Sequence, residues 1–255
     1  MRVITQHLLG RRRDWHRRRT VLATGLAQAP PDVVLFQEAV ADGGYDQAAD
    51  LLGPDFHVAR QTDRAPDGSG IAVASRWPLG EVSELDLRVP SRPPGRPAGA
   101  IAVDVHWPHS ATPLLAVNHK PSREADAGAE REAQAVAAVR FVAQILERTG
   151  QPVLLGGDFG AGPESPSVRF WNDSYTDVWR QCNGADPGPT FAPSLNALAA
   201  GGGGDRRTDY LFTRRGDFGP ALTASRCERM HTVPVQGVWA SDHFGLMAEF
   251  DVPRD

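Results

Sequence analysis

Lysine is almost absent from this 255-residue chain. Lys120 is the only one among 27 basic residues, and the rest are arginine. Cysteine is scarce as well. Cys182 and Cys227 allow one bridge at most, which excludes a disulfide framework or a four-cysteine metal site. No apolar stretch approaches the roughly 18 residues of a membrane span. There is no basic excess either: 27 Lys+Arg face 31 Asp+Glu, for a net charge of -4. That balance argues against bulk coating of duplex nucleic acid through phosphate contacts. No charged-then-apolar leader precedes the strand-like Val3-Ile4-Thr5, so a cytoplasmic location, off the membrane, is expected. What remains is the apolar content of an ordinary globular protein, 41% before glycine is added. A chain of this length buries roughly three quarters of its unfolded surface and needs no staples.

Short apolar, β-branched runs bounded by Gly, Pro, Asp or Ser recur at 3–8, 33–36, 56–59, 71–75, 82–89, 100–105, 114–118, 153–155, 210–213 and 244–250. These read as strands. Helices are expected at 14–27, with Asp14 as N-cap, at 45–52, and at 124–148. The glycine-rich stretch 196–206 reads as a mobile surface loop. Strands outnumber helices and no interior linker divides the chain. An α+β fold in one domain over residues 1–255 is therefore expected, with two packed sheets flanked by helices.

Polar residues gather where these strands begin or end: Gln37-Glu38, Asn118-His119, Asp158, Thr208-Asp209 and Ser241-Asp242-His243. Loops at one edge of a packed scaffold are where sites collect. The carboxylates of Glu38, Asp158, Asp209 and Asp242 would repel one another unless a cation held them. Oxygen-rich donors favour a hard divalent ion such as Mg²⁺ or Mn²⁺.

In order and spacing, these motifs resemble the endonuclease/exonuclease/phosphatase superfamily of metal-dependent phosphoesterases. The strings carrying the resemblance are Val3-Ile4-Thr5-Gln6-His7-Leu8, Pro31-Asp32-Val33-Val34-Leu35-Phe36-Gln37-Glu38, Gly70-Ile71-Ala72-Val73-Ala74-Ser75-Arg76-Trp77-Pro78, Val117-Asn118-His119, Gly157-Asp158-Phe159, Arg207-Thr208-Asp209-Tyr210 and Ser241-Asp242-His243. The resemblance implies a four-layer α/β/β/α sandwich of two mainly antiparallel sheets, with the site at one end. It implies Glu38 as metal carboxylate, Asp158 at the metal and the attacking water, and Asp242 completing the metal site. His243 becomes the catalytic imidazole oriented by Asp209, and His119 a donor to a phosphate oxygen.

Two positions depart from the pattern. His7 stands where the family has Asn, which adds Zn²⁺ and Fe²⁺ to the candidate ions. Gly160 stands where the family has Asn or Asp, removing a polar group whose loss commonly costs about a hundredfold or more. Two readings follow. One is a hydrolase, nuclease-like or phosphatase, acting as a monomer on a phosphorylated small molecule or a nucleic-acid end. The other is a catalytically altered or silent member that binds a phosphorylated ligand or uses the metal site for a different reaction. Substrate contacts are expected from Lys120, from Arg12 and Arg13 of the arginine cluster after the first strand, and from Trp171 and Tyr210 at the site mouth. Trp15, Trp77 and Trp179 are expected to pack in the core.

Overall fold

Strands β1 (Arg2–His7) and β2 (Val33–Asp42) run parallel, joined by a crossover through helix α1 (Trp15–Gln28). The computed structural model describes all residues except 89–97, 109, 202, 220 and 252–255. Around that pair a seven-stranded sheet forms. Its order is β12 (Thr223–Met230), β13 (Gly245–Asp251), β1, β2, β5 (Ser69–Ser75) and β4 (His57–Arg60), with β3 (Tyr45–Asp46) pairing β2. A six-stranded sheet runs β10 (Tyr175–Asp177), β11 (Asp209–Arg214), β9 (Val153–Asp158), β8 (Leu114–Lys120), β7 (Gly99–Val105) and β6 (Leu79–Asp86). Only β1·β2 and β8·β9 are parallel pairs among the described strands. Both sheets are thus mainly antiparallel, as expected. The expected strand 82–89 ends in the structure at Asp86, and Val89 lies outside the described residues.

Three apolar clusters make the layers. Val3, Leu35, Val73, Ile101, Leu154 and Leu246 fill the space between the sheets. Ile4, Val34 and Phe36 face outward onto α1 and the short α2 (Gln47–Leu52). Val117 and Leu155 face outward onto α3 (Gly128–Thr149) and α4 (Pro166–Asn172). Successive strand residues point to opposite faces. On β1, Val3 lies between the sheets and Ile4 outside, so His7 points between them. On β8, Ala116 lies between the sheets and Val117 outside, so Lys120 points inward and His119 outward.

Several local expectations are corrected. Asp14 does not cap α1: its backbone is left-handed and its side chain makes no cap hydrogen bond, because the chain turns tightly out of β1 through Arg13 and Asp14. Helix α3 starts at Gly128, four residues after the expected Glu124. Helices α4 and α5 (Val178–Asn183), capped by Ser165 and Asp177, and strands β3, β10 and β12 were not anticipated. The 196–206 stretch is anchored at its two ends. Asn196 is buried, its Nδ2 donates to Ser241 O at 2.8 Å, and Phe191 pairs with Arg206 in an antiparallel bridge. Gly202, within it, lies outside the described residues. Trp15 and Trp179 are buried, and Trp77 packs half-buried against the core. Among the described residues no helix is long and apolar enough to cross a membrane.

Candidate active site

The apolar layer between the sheets ends in a polar floor. Gln37 Nε2 donates to Asn118 Oδ1 (2.9 Å), Thr5 Oγ1 (3.1 Å) and Leu35 O (3.0 Å). Asn118 Nδ2 in turn donates to Phe36 O (2.8 Å) and Ala72 O (2.9 Å). These fully buried amides tie the two sheets together and leave few polar atoms unpaired, which would otherwise be costly. Above this floor opens a cleft of about 700 Å³ lined by His7, Glu38, Lys120, Asp158, Asp242 and His243, among others.

Regular alternation would send Glu38 to the face opposite Gln37. Instead the β2–β5 register slips between Phe36 and Ala39, and Glu38 adopts φ 48°. This bulge re-aims the carboxylate into the cleft. Positive φ is costly for a residue that carries a Cβ and tends to persist where function requires it. Glu38 is 2% exposed. Its Oε2 lies 3.3 Å from His7 Nε2 and pairs with Arg12, while Arg123 Nη1 is 3.6 Å from Oε1. Burial works against its ionisation, but His7, Lys120 and Arg12 together hold its carboxyl well below the usual range.

Asp158 ends β9 opposite Asp209, the first residue of β11. The parallel β8 approaches so closely here that a Cβ on Gly157 would sit 2.0 Å from His119 O, which is why glycine precedes the aspartate. Asp158 Oδ1 accepts from Gly160 N (3.0 Å) and Oδ2 accepts from Lys120 Nζ (2.6 Å). His7 Nδ1 lies 3.2 Å from the same Oδ2 but makes no hydrogen bond. Despite burial, Lys120 and the two imidazoles hold the Asp158 carboxyl well below its ordinary value.

His243 Nδ1 donates to Asp209 Oδ2 at 2.8 Å. That oxygen also accepts from Thr190 Oγ1 (2.6 Å) and Thr208 Oγ1 (3.0 Å). Burial opposes protonation of His243, but Asp209 and Asp158 outweigh it and push its pKa up to about 10. The His243 ring stacks on His7, with centroids 4.3 Å apart and planes 10° from parallel. His7 is also raised: burial would lower it, and the Glu38 and Asp158 carboxylates together outweigh that. Asp242 lines the cleft and accepts from Ser241 Oγ (3.1 Å).

The structure therefore brings together His7, Glu38, Lys120, Asp158, Asp209, Asp242 and His243. Four expected residues lie elsewhere. His119 faces the outer layer, where it packs on Phe159 (4.8 Å between centroids) and Trp171 (5.3 Å), and burial pushes its pKa down to about 3. Lys120, one residue on, takes the cleft-facing position. Trp171 and Tyr210 do not reach the mouth. Both are fully buried in the aromatic cluster behind β9, with the Tyr210 hydroxyl spent on Ala161 O and Arg207 O. Arg13 is exposed in the turn before α1, and Arg12 meets the site through Glu38.

Sequence reading missed the supports. Arg18, in the arginine cluster after the first strand, is 1% exposed and donates to the carbonyls of Leu8, Gly10, Arg12 and Ala240. It clasps the chain leaving β1 to the segment before Asp242. Arg123 carried no readable signal at all.

The donor set fits a divalent ion. His7, Asp158 and His243 each offer a ligand atom, all within 4.8 Å of one another, and His7 Nδ1 is buried without a hydrogen-bond partner. Comparison with known proteins bears on the family and the fold. The family model described as Endonuclease/Exonuclease/phosphatase family matches residues 5–243. No curated protein sequence matches significantly. Among solved structures, TDP2 of D. rerio complexed with a single-strand DNA product is similar over 98% of both chains, at 20% identity and a TM-score of 0.80. The mannosyl-6-phosphatase of Bacteroides thetaiotaomicron is similar over 98% of this chain and 99% of its own, at 17% identity and a TM-score of 0.78. TDP2 from C. elegans, at 17% identity and a TM-score of 0.79, is covered over 74% of its length.

Proposed function

Because this chain belongs to the endonuclease/exonuclease/phosphatase family, we propose that it is a divalent-metal-dependent phosphoesterase. The observation that carries the reading is the His243–Asp209 pair facing Asp158 and His7 across one cleft. The substrate class is a phosphorylated small molecule or a nucleic-acid end. The similar solved structures include one protein bound to a DNA product and one phosphatase named for a sugar phosphate. The reading treats residues 1–255 as one domain, acting as a cytoplasmic monomer.

Glu38, Asp158, His7 and Asp242 would hold the ion, with Mg²⁺ or Mn²⁺ as first candidates and Zn²⁺ or Fe²⁺ admitted by the imidazole. A bound ion would offset negative charge on the phosphate oxygens as it develops in the transition state. The chain's own residues do the rest. Asp209 accepts the Nδ1 proton of His243 and so fixes the ring with Nε2 turned to the cleft. As an imidazolium, His243 donates to a phosphate or leaving-group oxygen. Asp158, held by Gly160 N and Lys120, orients the attacking water. Lys120 replaces His119 as the cation facing the phosphate.

Gly160 supports a second reading, that of a silent member that only binds a phosphorylated ligand. The two separate on a panel of p-nitrophenyl phosphate, bis(p-nitrophenyl) phosphate, sugar phosphates and labelled single-stranded DNA with Mg²⁺, Mn²⁺ or Zn²⁺. Metal-dependent turnover that Glu38→Ala abolishes is expected. No turnover with any ion, or full activity in Glu38→Ala, would remove the phosphoesterase reading.

A further inference from the structure

The five N–H groups of the buried Arg18 side chain go to four backbone carbonyls. Nε and Nη2 donate to Arg12 O at 3.0 and 2.8 Å, and Nη2 donates also to Gly10 O at 2.8 Å. Nη1 donates to both Leu8 O and Ala240 O, each at 2.8 Å. A guanidinium holds its five donors in a fixed plane, so none is left over. The Trp15 ring lies against it, 5.3 Å from Cζ to the ring centroid. The chain bends to meet this cation: Leu9, Gly10, Arg13 and Asp14 all have φ between 53° and 60°. Three of these carry a Cβ, and such backbone persists where its surroundings over-determine it. Carbonyls converging on one buried guanidinium do so here.

Nη1 is the informative nitrogen, because its two acceptors come from opposite ends of the chain. Leu8 directly follows His7, and Ala240 stands three residues before His243. Those are the two imidazoles that stack at 4.3 Å with planes 10° apart. Stacking sets the distance between two rings but resists their sliding only weakly. The offset of one over the other is therefore set by the backbones that carry them. One nitrogen bridging Leu8 O and Ala240 O ties those backbones together. The same loop also supports the neighbouring strand: Leu8 N donates to Gln37 O at 2.8 Å, and Gly10 N donates to Glu38 O at 2.9 Å.

We infer that Arg18 is a positioning residue, which fixes the offset of the His243 ring over the His7 ring and so the aim of His243 into the cleft. Its catalytic consequence rests on the reading of this chain as a phosphoesterase; the placement of the stack does not. Lysine cannot replace it. Three donors on a single nitrogen do not reach four carbonyls spread around a planar fork. Arg18→Lys keeps the buried charge and loses the bridge.

The test compares the full-length wild type with Arg18→Lys and with Val142→Ala, a core truncation in α3 beneath the outer layer. With ¹³C-labelled histidine and a chelator, the Hε1 signals of His7 and His243 should lie upfield in the wild type, since each ring shields the other. They are assigned by their disappearance in His7→Asn and His243→Asn. Val142→Ala should keep both positions, and Arg18→Lys should move both downfield. With Mn²⁺ and bis(p-nitrophenyl) phosphate, Arg18→Lys should lower kcat about 10–100-fold while KM changes by less than about threefold. Unmoved histidine signals in Arg18→Lys, or a loss of kcat no greater than in Val142→Ala, would overturn the inference. The wild type gives a further check that stands even where Arg18→Lys fails to fold. Its Arg18 Nη protons should be resolved and slow to exchange, and fast exchange with solvent overturns the inference. Moved histidine signals with no turnover in the wild type sink the phosphoesterase reading alone. Wild-type turnover with an unmoved stack in Arg18→Lys sinks the Arg18 assignment alone.

Discussion

His7 and His243 stack face to face at 4.3 Å, each with a carboxylate on one nitrogen, Glu38 for the first and Asp209 for the second. Two imidazoles in van der Waals contact would repel as cations in isolation. Here the surrounding carboxylates raise both above the ordinary value. The stack is therefore a consequence of the acidic ring around it, and its charge state follows the integrity of that ring.

This sets a pH dependence. The His243 pKa is about 10 in the folded protein against 6.5 as the ordinary value. The folded state thus binds the extra proton between those limits. The stabilisation is fully present below pH 6.5 and is lost as pH rises towards 10, at up to about 1.4 kcal/mol per unit. Asp209→Asn removes the largest upward influence and should flatten the slope. Urea midpoints at pH 6.5, 8 and 9.5 in the presence of a chelator measure it. A midpoint independent of pH across this range contradicts the assignment.

Lys120 and Asp158 form a buried pair at 2.6 Å. Replacing Lys120 by Met leaves a carboxylate without its nearest cation. A loss of about 3–5 kcal/mol in urea unfolding with chelator is expected. Saturating Mn²⁺ should recover part of it, because an ion that binds only the folded state stabilises by mass action. Equal stability of Lys120→Met and wild type in chelator would show that the pair is incidental.

Gly160 is a repairable departure. Its φ of +62° lies in the region that Asn tolerates, and a Cβ there would meet nothing closer than Ser122 O at 3.4 Å. Gly160→Asn should fold with a change of less than about 1 kcal/mol and raise kcat about 10–100-fold by restoring a polar group beside Asp158. A fall in kcat in a well-folded variant would mean that the empty space serves the natural substrate.

His119 behaves as a core residue. Its pKa, pushed down to about 3 by burial, lies below the ordinary 6.5. The unfolded chain therefore takes up the proton first, and stability falls as pH drops from 6.5 towards 3. His119→Leu should blunt that acid-side loss while changing kcat/KM by less than about fivefold, as expected of a side chain that only packs. A drop of a hundredfold would return His119 to the catalytic group.

The sheets were legible because their central strands bury both faces: β1, β2, β5, β8 and β9 are buried almost throughout, and each carries adjacent apolar residues that face opposite ways. Strand β12 was not, since Thr-Ala-Ser-Arg-Cys-Glu-Arg-Met at a sheet edge has little to bury. The site's acidic and imidazole residues were legible by type and order, and their facing was not. Whether His119 or Lys120 enters the cleft depends on which side of β8 the second sheet lies. Glu38 enters through a bulge that no residue pattern announces. Arg18 sits in a run of arginines, and only the chain wrapping around it reveals four carbonyl partners.

The placement of β1 between β2 and β13 has a consequence in time. During synthesis His7, Glu38 and Asp158 emerge well before the segment that supplies His243. Until Gly245–Asp251 adds its antiparallel pairing, β1 is a bare edge and Arg18 lacks its acceptor at Ala240. A ribosome-bound chain thus holds the acidic half of the cleft without the imidazole that would act on a phosphate. The pairing that closes the sheet edge lies next to the segment carrying His243, and its long sequence separation puts it among the slow-forming kinds of contact.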